Sequence, residues 1–130
     1  MHMTVAAPRA LRVLVVDDHE DGAEMLAVAL RLDGHDVAVA HDGPTALERC
    51  HDCPPELVLL DLHLGGGLDG CEVARRLRHR GLAAACLVAV TGLGTAEHRR
   101  RAAEAGFDMF LLKPVDPAEL RELALAVGSA

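Results

Sequence analysis

Tryptophan and tyrosine are absent from this chain, and Phe107 and Phe110 are its only aromatic rings apart from histidine. A flavin-binding electron carrier would need aromatic side chains to sandwich its cofactor, and two are too few. Long apolar runs are missing too. The longest, Leu82 to Val90, falls far short of the roughly 20 residues that cross a bilayer, so no membrane span is expected. The first ten residues contain Pro8 and Arg9 and no continuous apolar segment. No secretory signal is therefore expected, and a cytoplasmic location is. Positive charge is scarce as well: the net charge of −7 argues against a broad grip on nucleic acid or on an anionic membrane. The one basic run, His98-Arg99-Arg100-Arg101, reads as a solvated helix face. Gly65-Gly66-Gly67 is not followed by the G-K-[ST] of a phosphate-cradling loop. The histidines at 19, 35, 41 and 79 read as loop and surface residues.

The four cysteines do not add up to a metal or redox centre. Cys50 and Cys53 form a C-x-x-C, but no second ligand pair accompanies them, and they fall at the end of a predicted helix before Pro54-Pro55. Cys71 and Cys86 read as core-facing. With 130 residues and 51% hydrophobic content, one domain with a substantial core is expected. Residues 1–10 read as an N-terminal extension, in which Met1-His2-Met3 has the look of a cloning remnant, and residues 11–130 as the domain. No repeat, low-complexity tract or linker interrupts it.

The chain is organised around Leu57-Val58-Leu59-Leu60-Asp61, a short apolar run ending on a carboxylate. Such a run reads as a buried parallel strand whose last residue emerges at the carboxyl edge of a sheet. Arg12 to Val16 is a second strand, ending on Asp17 and Asp18. Val37 to Ala40, Cys86 to Val90 and Met109 to Leu112 complete a set of five, the last two delivering Thr91 and Lys113. Helices are predicted over Glu20 to Leu32, Thr45 to about Cys50 after Gly43-Pro44, Cys71 to Arg80, Thr95 to Ala105, and from Asp116-Pro117 onward, where Leu120, Leu123, Ala124 and Val127 give an apolar face. Strands alternating with helices imply right-handed crossovers and a doubly wound α/β sheet with helices on both faces. The expected strand order is 2-1-3-4-5.

Strand ends carrying Asp17, Asp18, Asp61, Thr91 and Lys113 thus meet on one edge, where ligands bind in open α/β sheets. Crowded carboxylates raise one another's pKa, and a metal relieves the cost. Acidic side chains with a backbone carbonyl suit Mg²⁺. Asp61, on the central strand, is the best-placed nucleophile for an aspartyl phosphate. Thr91 offers a hydroxyl and Lys113 a positive charge to the remaining phosphoryl oxygens.

Val15-Val16-Asp17-Asp18, Leu59-Leu60-Asp61, Val90-Thr91-Gly92 and Leu112-Lys113-Pro114, in this order and strand context, resemble the receiver domain of two-component response regulators, the CheY-like, flavodoxin-like fold, from Leu11 to about Val127. The resemblance implies transfer of a phosphoryl group from a histidine kinase or histidine phosphotransfer protein to Asp61. It implies Mg²⁺ held by Asp17 or Asp18, Asp61 and the backbone carbonyl of His63. It also implies that the domain, though no conventional enzyme, catalyses its own phosphorylation and slow dephosphorylation. Thr91 and Phe110 match the family's switch pair, in which the hydroxyl moves toward the phosphoryl group and the ring turns inward, altering the surface of the fourth helix, fifth strand and fifth helix. Lys113-Pro114 matches a bond that is cis in the family. A downstream protein target is implied, and a phosphorylation-linked homodimer through the fourth and fifth helices is a family expectation, with Arg99 to Arg101, Glu104, Asp108 and Glu119 to supply charges.

The chain departs from the family in two places. The loop from Asp61 to Gly70 carries Gly65-Gly66-Gly67 in place of the usual proline and is one residue longer. His63 and Leu93 stand two residues beyond Asp61 and Thr91, where the family tunes access of hydrolytic water, and bulky Leu93 is expected to slow dephosphorylation. With no output domain in the sequence, a stand-alone regulator and a receiver excised from a larger hybrid kinase or regulator both fit. The alternative is a phosphorylation-independent pseudo-receiver acting as an interaction module. An aspartate-nucleophile phosphatase would want a second Asp two residues after Asp61, where His63 stands.

Overall fold

Short apolar runs separated by amphipathic segments build a sheet covered on both faces. The computed structural model describes residues 9–82 and 84–129; residues 1–8, most of the expected N-terminal extension, lie outside them. The elements run β1 (Arg12–Val16), α1 (Glu20–Leu32), β2 (Asp36–Ala40), α2 (Gly43–Asp52), β3 (Leu57–Asp61), α3 (Gly70–His79), β4 (Cys86–Thr91), α4 (Ala96–Ala105), β5 (Met109–Leu112) and α5 (Pro117–Gly128). The strands form one sheet in the order β2-β1-β3-β4-β5, and every pairing is parallel. This is the doubly wound arrangement expected from the alternation.

Side chains alternate between the two faces, as the strand period requires. Leu14, Val16, Val58, Leu60, Leu87 and Ala89 pack under α2, α3 and α4. Val13, Val15, Leu57, Leu59, Val88 and Val90 pack under α1 and α5. The central strand β3 is buried along its whole length, whereas the edge strands β2 and β5 are partly exposed. Register pairs Val15 with Leu59 and Leu59 with Val88, so all strand ends fall at one edge. Truncating a fully buried residue such as Leu59 to alanine costs about 2–5 kcal/mol.

Helix starts are set by short polar caps. Asp42, Asp69, Thr95 and Asp116 each accept from a backbone N–H of the first turn, at 2.7, 2.8, 3.2 and 2.8 Å, satisfying donors that have no intrahelical partner. The Asp42 cap with Pro44 behind it starts α2 at Gly43, two residues before the Thr45 start read from the sequence. At the opposite edge of the sheet from the strand ends, Arg78 donates to the Gly106, Leu82 and Ala85 carbonyls and to Asp108, at 2.9, 3.0, 2.8 and 2.7 Å. It ties α3 to the end of α4 and the start of β4.

One histidine departs from the surface reading. His35 is buried, and its Nδ1 accepts from the Leu11 backbone N–H at 3.0 Å, so it satisfies a donor at the start of β1 that the sheet leaves unpaired. The cysteines are all free thiols. Burial pushes the Cys50 thiol up to about 11, which disfavours the reactive thiolate at that residue.

Candidate functional site

Asp17 follows β1 directly, and its backbone N–H donates to Ala40 O at 3.1 Å, extending the ladder by one step. Asp61 is the last residue of β3. Each carboxylate is pinned in the same way: Oδ1 accepts the backbone N–H two residues on, from His19 to Asp17 at 2.9 Å and from His63 to Asp61 at 3.0 Å. Such local bonds are a property of aspartate in turns. They leave both Oδ2 atoms facing Lys113, whose Nζ donates to Asp17 at 2.8 Å and to Asp61 at 2.9 Å. The Lys113 backbone N–H donates to Thr91 O at 2.9 Å, and the Lys113-Pro114 peptide is cis.

Asp17 and Asp61 are nearly enclosed, with side chains 3% and 8% exposed, while Lys113 keeps 32% of its side-chain surface open. Burial pushes the Asp17 carboxyl upward, but hydrogen bonds from Lys113 and the His19 N–H, with the Lys113 charge behind them, carry it below the ordinary 3.8. Burial likewise pulls Lys113 down, and the two carboxylates outweigh it, holding the ammonium above its usual 10.5.

The other sequence-derived residues lie around this trio. Asp18 is exposed and meets the His19 ring, with Nδ1 3.1 Å from its Oδ1; the same nitrogen lies 3.5 Å from Asp17 Oδ1. Thr91 is buried at the end of β4 and stands apart from the acid–lysine network, its Oγ1 accepting from the Leu93 N–H at 3.3 Å. The His63 ring turns toward α4 and meets His98. Phe110 is half-buried under the Arg99 guanidinium. The sequence thus brings Asp17, Asp61 and Lys113 into direct contact and sets Asp18, Thr91, His63 and Phe110 around them.

Three residues escaped the sequence reading. His19 is an exposed loop residue, as its position predicts, and its ring also lies within ligand distance of Asp17 and Asp18, which its place directly after the paired acids signals. His41 frames the same corner, Nδ1 to Asp17 O at 3.0 Å. Gly70 matters through its lack of a side chain: a Cβ there would lie 2.2 Å from Asp61 O and 2.8 Å from Leu62 Cα. No local sequence signal marks that approach.

The donor set fits a hard divalent cation. Asp17, Asp18 and Asp61 bring three carboxylates to one edge against the single ammonium of Lys113, so negative charge is left over. Oxygen donors of this kind suit Mg²⁺.

A family model described as "Response regulator receiver domain" matches residues 13–125. The chain is 41% identical over 116 residues to the DNA-binding response regulator MtrA of Mycolicibacterium paratuberculosis, covering 84% of this chain and 47% of that protein. It is 35% identical over 113 residues to the response regulator PleD of Caulobacter vibrioides, covering 84% and 24%. It therefore spans about half the length of the first relative and less of the second. Among solved structures, the receiver domain of NtrX from Brucella abortus superposes with a TM-score of 0.83 at 30% identity, covering 91% of this chain and 98% of that one.

Proposed function

Because the chain belongs to the response regulator receiver domain family of two-component systems, we propose that it carries its signal as a phosphoryl group on Asp61. The observation that supports this most directly is the Lys113 ammonium held between the buried Asp17 and Asp61 carboxylates. In the transfer, an Asp61 carboxylate oxygen attacks phosphorus while the P–N bond to a partner's phosphohistidine breaks, the electron pair remaining on the imidazole. The Asp61 Oδ1 is fixed by the His63 N–H, which orients the carboxylate for attack. Lys113 stays beside Asp61 to meet a phosphoryl oxygen, and Thr91 exchanges its Leu93 hydrogen bond for another. Asp17, Asp18, Asp61 and the His63 carbonyl would hold Mg²⁺, which supplies charge neutralisation to phosphoryl oxygens when bound.

The partner is a histidine kinase or histidine phosphotransfer protein. Beside the site, α1 exposes Met25 and Leu32, 75% and 82% open, with Val28 between them. Their spacing makes one apolar stripe on the helix, suited to a helical partner that presents its phosphohistidine to the edge. A downstream target reads the α4–β5–α5 face, where Met109, Leu112 and Leu125 are exposed, and a phosphorylation-linked homodimer would use the same face. No described helix is long and apolar enough to cross a membrane, and a cytoplasmic setting suits this role. Residues 11–130 serve as the receiver unit, with residues 1–10 as an extension.

Intact-protein mass after incubation with acetyl phosphate and Mg²⁺, beside an Asp61→Asn control, tests the proposal. A single phosphoryl adduct that requires both the metal and Asp61 is expected. A folded protein that takes up no phosphoryl group would instead be a pseudo-receiver that works by protein contact alone.

A further inference from the structure

Two imidazoles from distant parts of the chain meet beside the acidic edge. His63 lies in the β3–α3 loop and His98 in the first turn of α4, and their ring centroids are 5.9 Å apart with planes at 63°. Thr95 Oγ1 engages His98 Nδ1 and also accepts the His98 backbone N–H. This fixes the ring and leaves Nε2 as its free nitrogen. Both rings line a cavity of about 110 Å³ together with Leu62, Asp69, Cys71 and Arg101.

We propose that His63 and His98 form a binding site for a divalent transition-metal cation of the Zn²⁺ class, separate from the carboxylate site. The spacing is close to what such an ion requires. Zinc lies about 2.0–2.1 Å from a ligating imidazole nitrogen, hence roughly 3.2 Å from the ring centroid, so two rings on one tetrahedral ion sit about 5.2 Å apart, and the two rings here would close on the ion by less than about 1 Å. His98 is also held as a ligating histidine normally is, through its other ring nitrogen, the part Thr95 plays here. The cavity has room for the ion and several waters. Asp69 places a carboxylate in its wall to offset the charge of Arg101. Cys71 is not a ligand in this arrangement: burial, reinforced by Asp69, keeps its thiol protonated. Its Sγ lies 4.0 Å from Arg101 O.

The two metal sites differ in chemistry. Asp17, Asp18 and Asp61 offer oxygen to a hard ion, while paired imidazoles select borderline ions and leave Mg²⁺ in water. A zinc ion here would tie the loop after Asp61 to the first turn of α4. Binding at the pair does not depend on phosphorylation. An effect of zinc on signalling rests on the proposed switch, and linkage would make it reciprocal.

The test is calorimetric titration of the full chain with Zn²⁺ in excess Mg²⁺, so that the carboxylate site is already served. Binding is expected in wild type and in His19→Ala, and weakened by more than about tenfold in His63→Ala and in His98→Ala. His63 is exposed and His98 half-buried, and circular dichroism confirms folding. Histidine ring resonances, followed by NMR in the same titration, should move for residues 63 and 98 together. Absence of zinc binding in wild type, affinity unchanged in both alanine variants, or loss confined to His19→Ala would each overturn the proposal. Failure of acetyl phosphate labelling would leave these readings intact.

Discussion

The Arg99 guanidinium lies over the Phe110 ring, its central carbon 4.6 Å from the ring centroid, and its Nε donates to Gly94 O at 3.4 Å. One side chain of α4 thus holds the outer face of the β5 aromatic and the loop before its own helix. If Phe110 turns inward on phosphorylation, this contact must break.

An exposed cation–π contact is worth about 0.5–1 kcal/mol. Arg99→Ala is therefore expected to raise the inward-to-outward ratio of Phe110 by roughly two- to fivefold. With only Phe107 and Phe110 as phenylalanines, the ring signals are assigned by comparison with Phe110→Leu and followed by NMR with and without acetyl phosphate. A ring population that ignores Arg99→Ala would show that the guanidinium does not restrain the switch.

Lys113 links pH to stability at both ends of the scale. Its folded pKa is raised above 10.5, so its contribution is fully present below that value and is lost as pH climbs through the folded pKa. The folded pKa of Asp17 is depressed below 3.8. Its contribution is present above 3.8 and is lost as pH falls through that lower value. Urea midpoints should fall at both extremes. In Lys113→Met the acid limb should become shallower, because burial is the largest influence on Asp17 and the lysine that opposed it is gone, while Asp42 and Glu56, also held below their usual values by other partners, keep their share. An acid limb of unchanged slope would show that Lys113 does not hold Asp17 ionised. Lys113 is the chain's single lysine, so its side-chain NMR signal reports the alkaline limb directly.

Gly70 lies where α3 begins against the end of β3. Its missing Cβ would meet the Asp61 carbonyl oxygen at 2.2 Å and Leu62 Cα at 2.8 Å, and backbone atoms cannot step aside as the end of a side chain can. Gly70→Ala should cost at least the ~1–3 kcal/mol typical of overpacking and should reduce phosphorylation by shifting Asp61. Gly92→Ala is the control, since a Cβ there meets nothing within 4 Å, and it should leave the urea midpoint unchanged or raise it. Equal midpoints for the two variants would refute the packing account.

These sites divide according to what a sequence can show. The span of α1 and the spans of β1, β3 and β5 are written locally, in apolar period and in the residues that stop each run. So are Asp17, Asp61, Thr91 and Lys113, because a parallel sheet must bring strand ends to one edge. The α2 start was within reach through Asp42 and Pro44. What could not be read is pairing between residues far apart in the chain. His35 closes on Leu11, His63 on His98 and Arg99 on Phe110 only once the helices have packed. His35, His63, His98 and Arg99 are polar and look like surface until their neighbours are known. Gly70 was equally opaque, since its importance lies in a clash that never occurs.

Leu93 supplies a test of phosphoryl lifetime. Its backbone N–H is held by Thr91 Oγ1 at 3.3 Å, and its side chain is 45% exposed at the same edge as Asp61. Hydrolysis of the acyl phosphate needs a water to reach phosphorus there, and an apolar side chain above the edge excludes part of the solvent. Leu93→Ala should shorten the lifetime of the phosphorylated form several-fold, read as the decay of the mass adduct after acetyl phosphate is removed. Leu93→Ile, which keeps the bulk, should retain the wild-type lifetime. Because the side chain is exposed, neither change should move stability by more than about 0.5 kcal/mol, so a faster decay cannot be ascribed to unfolding. The Thr91 hydrogen bond reaches the Leu93 backbone and survives both substitutions. An unchanged decay in Leu93→Ala would mean that water reaches Asp61 by a path Leu93 does not cover, with the His63 side as the remaining approach to test.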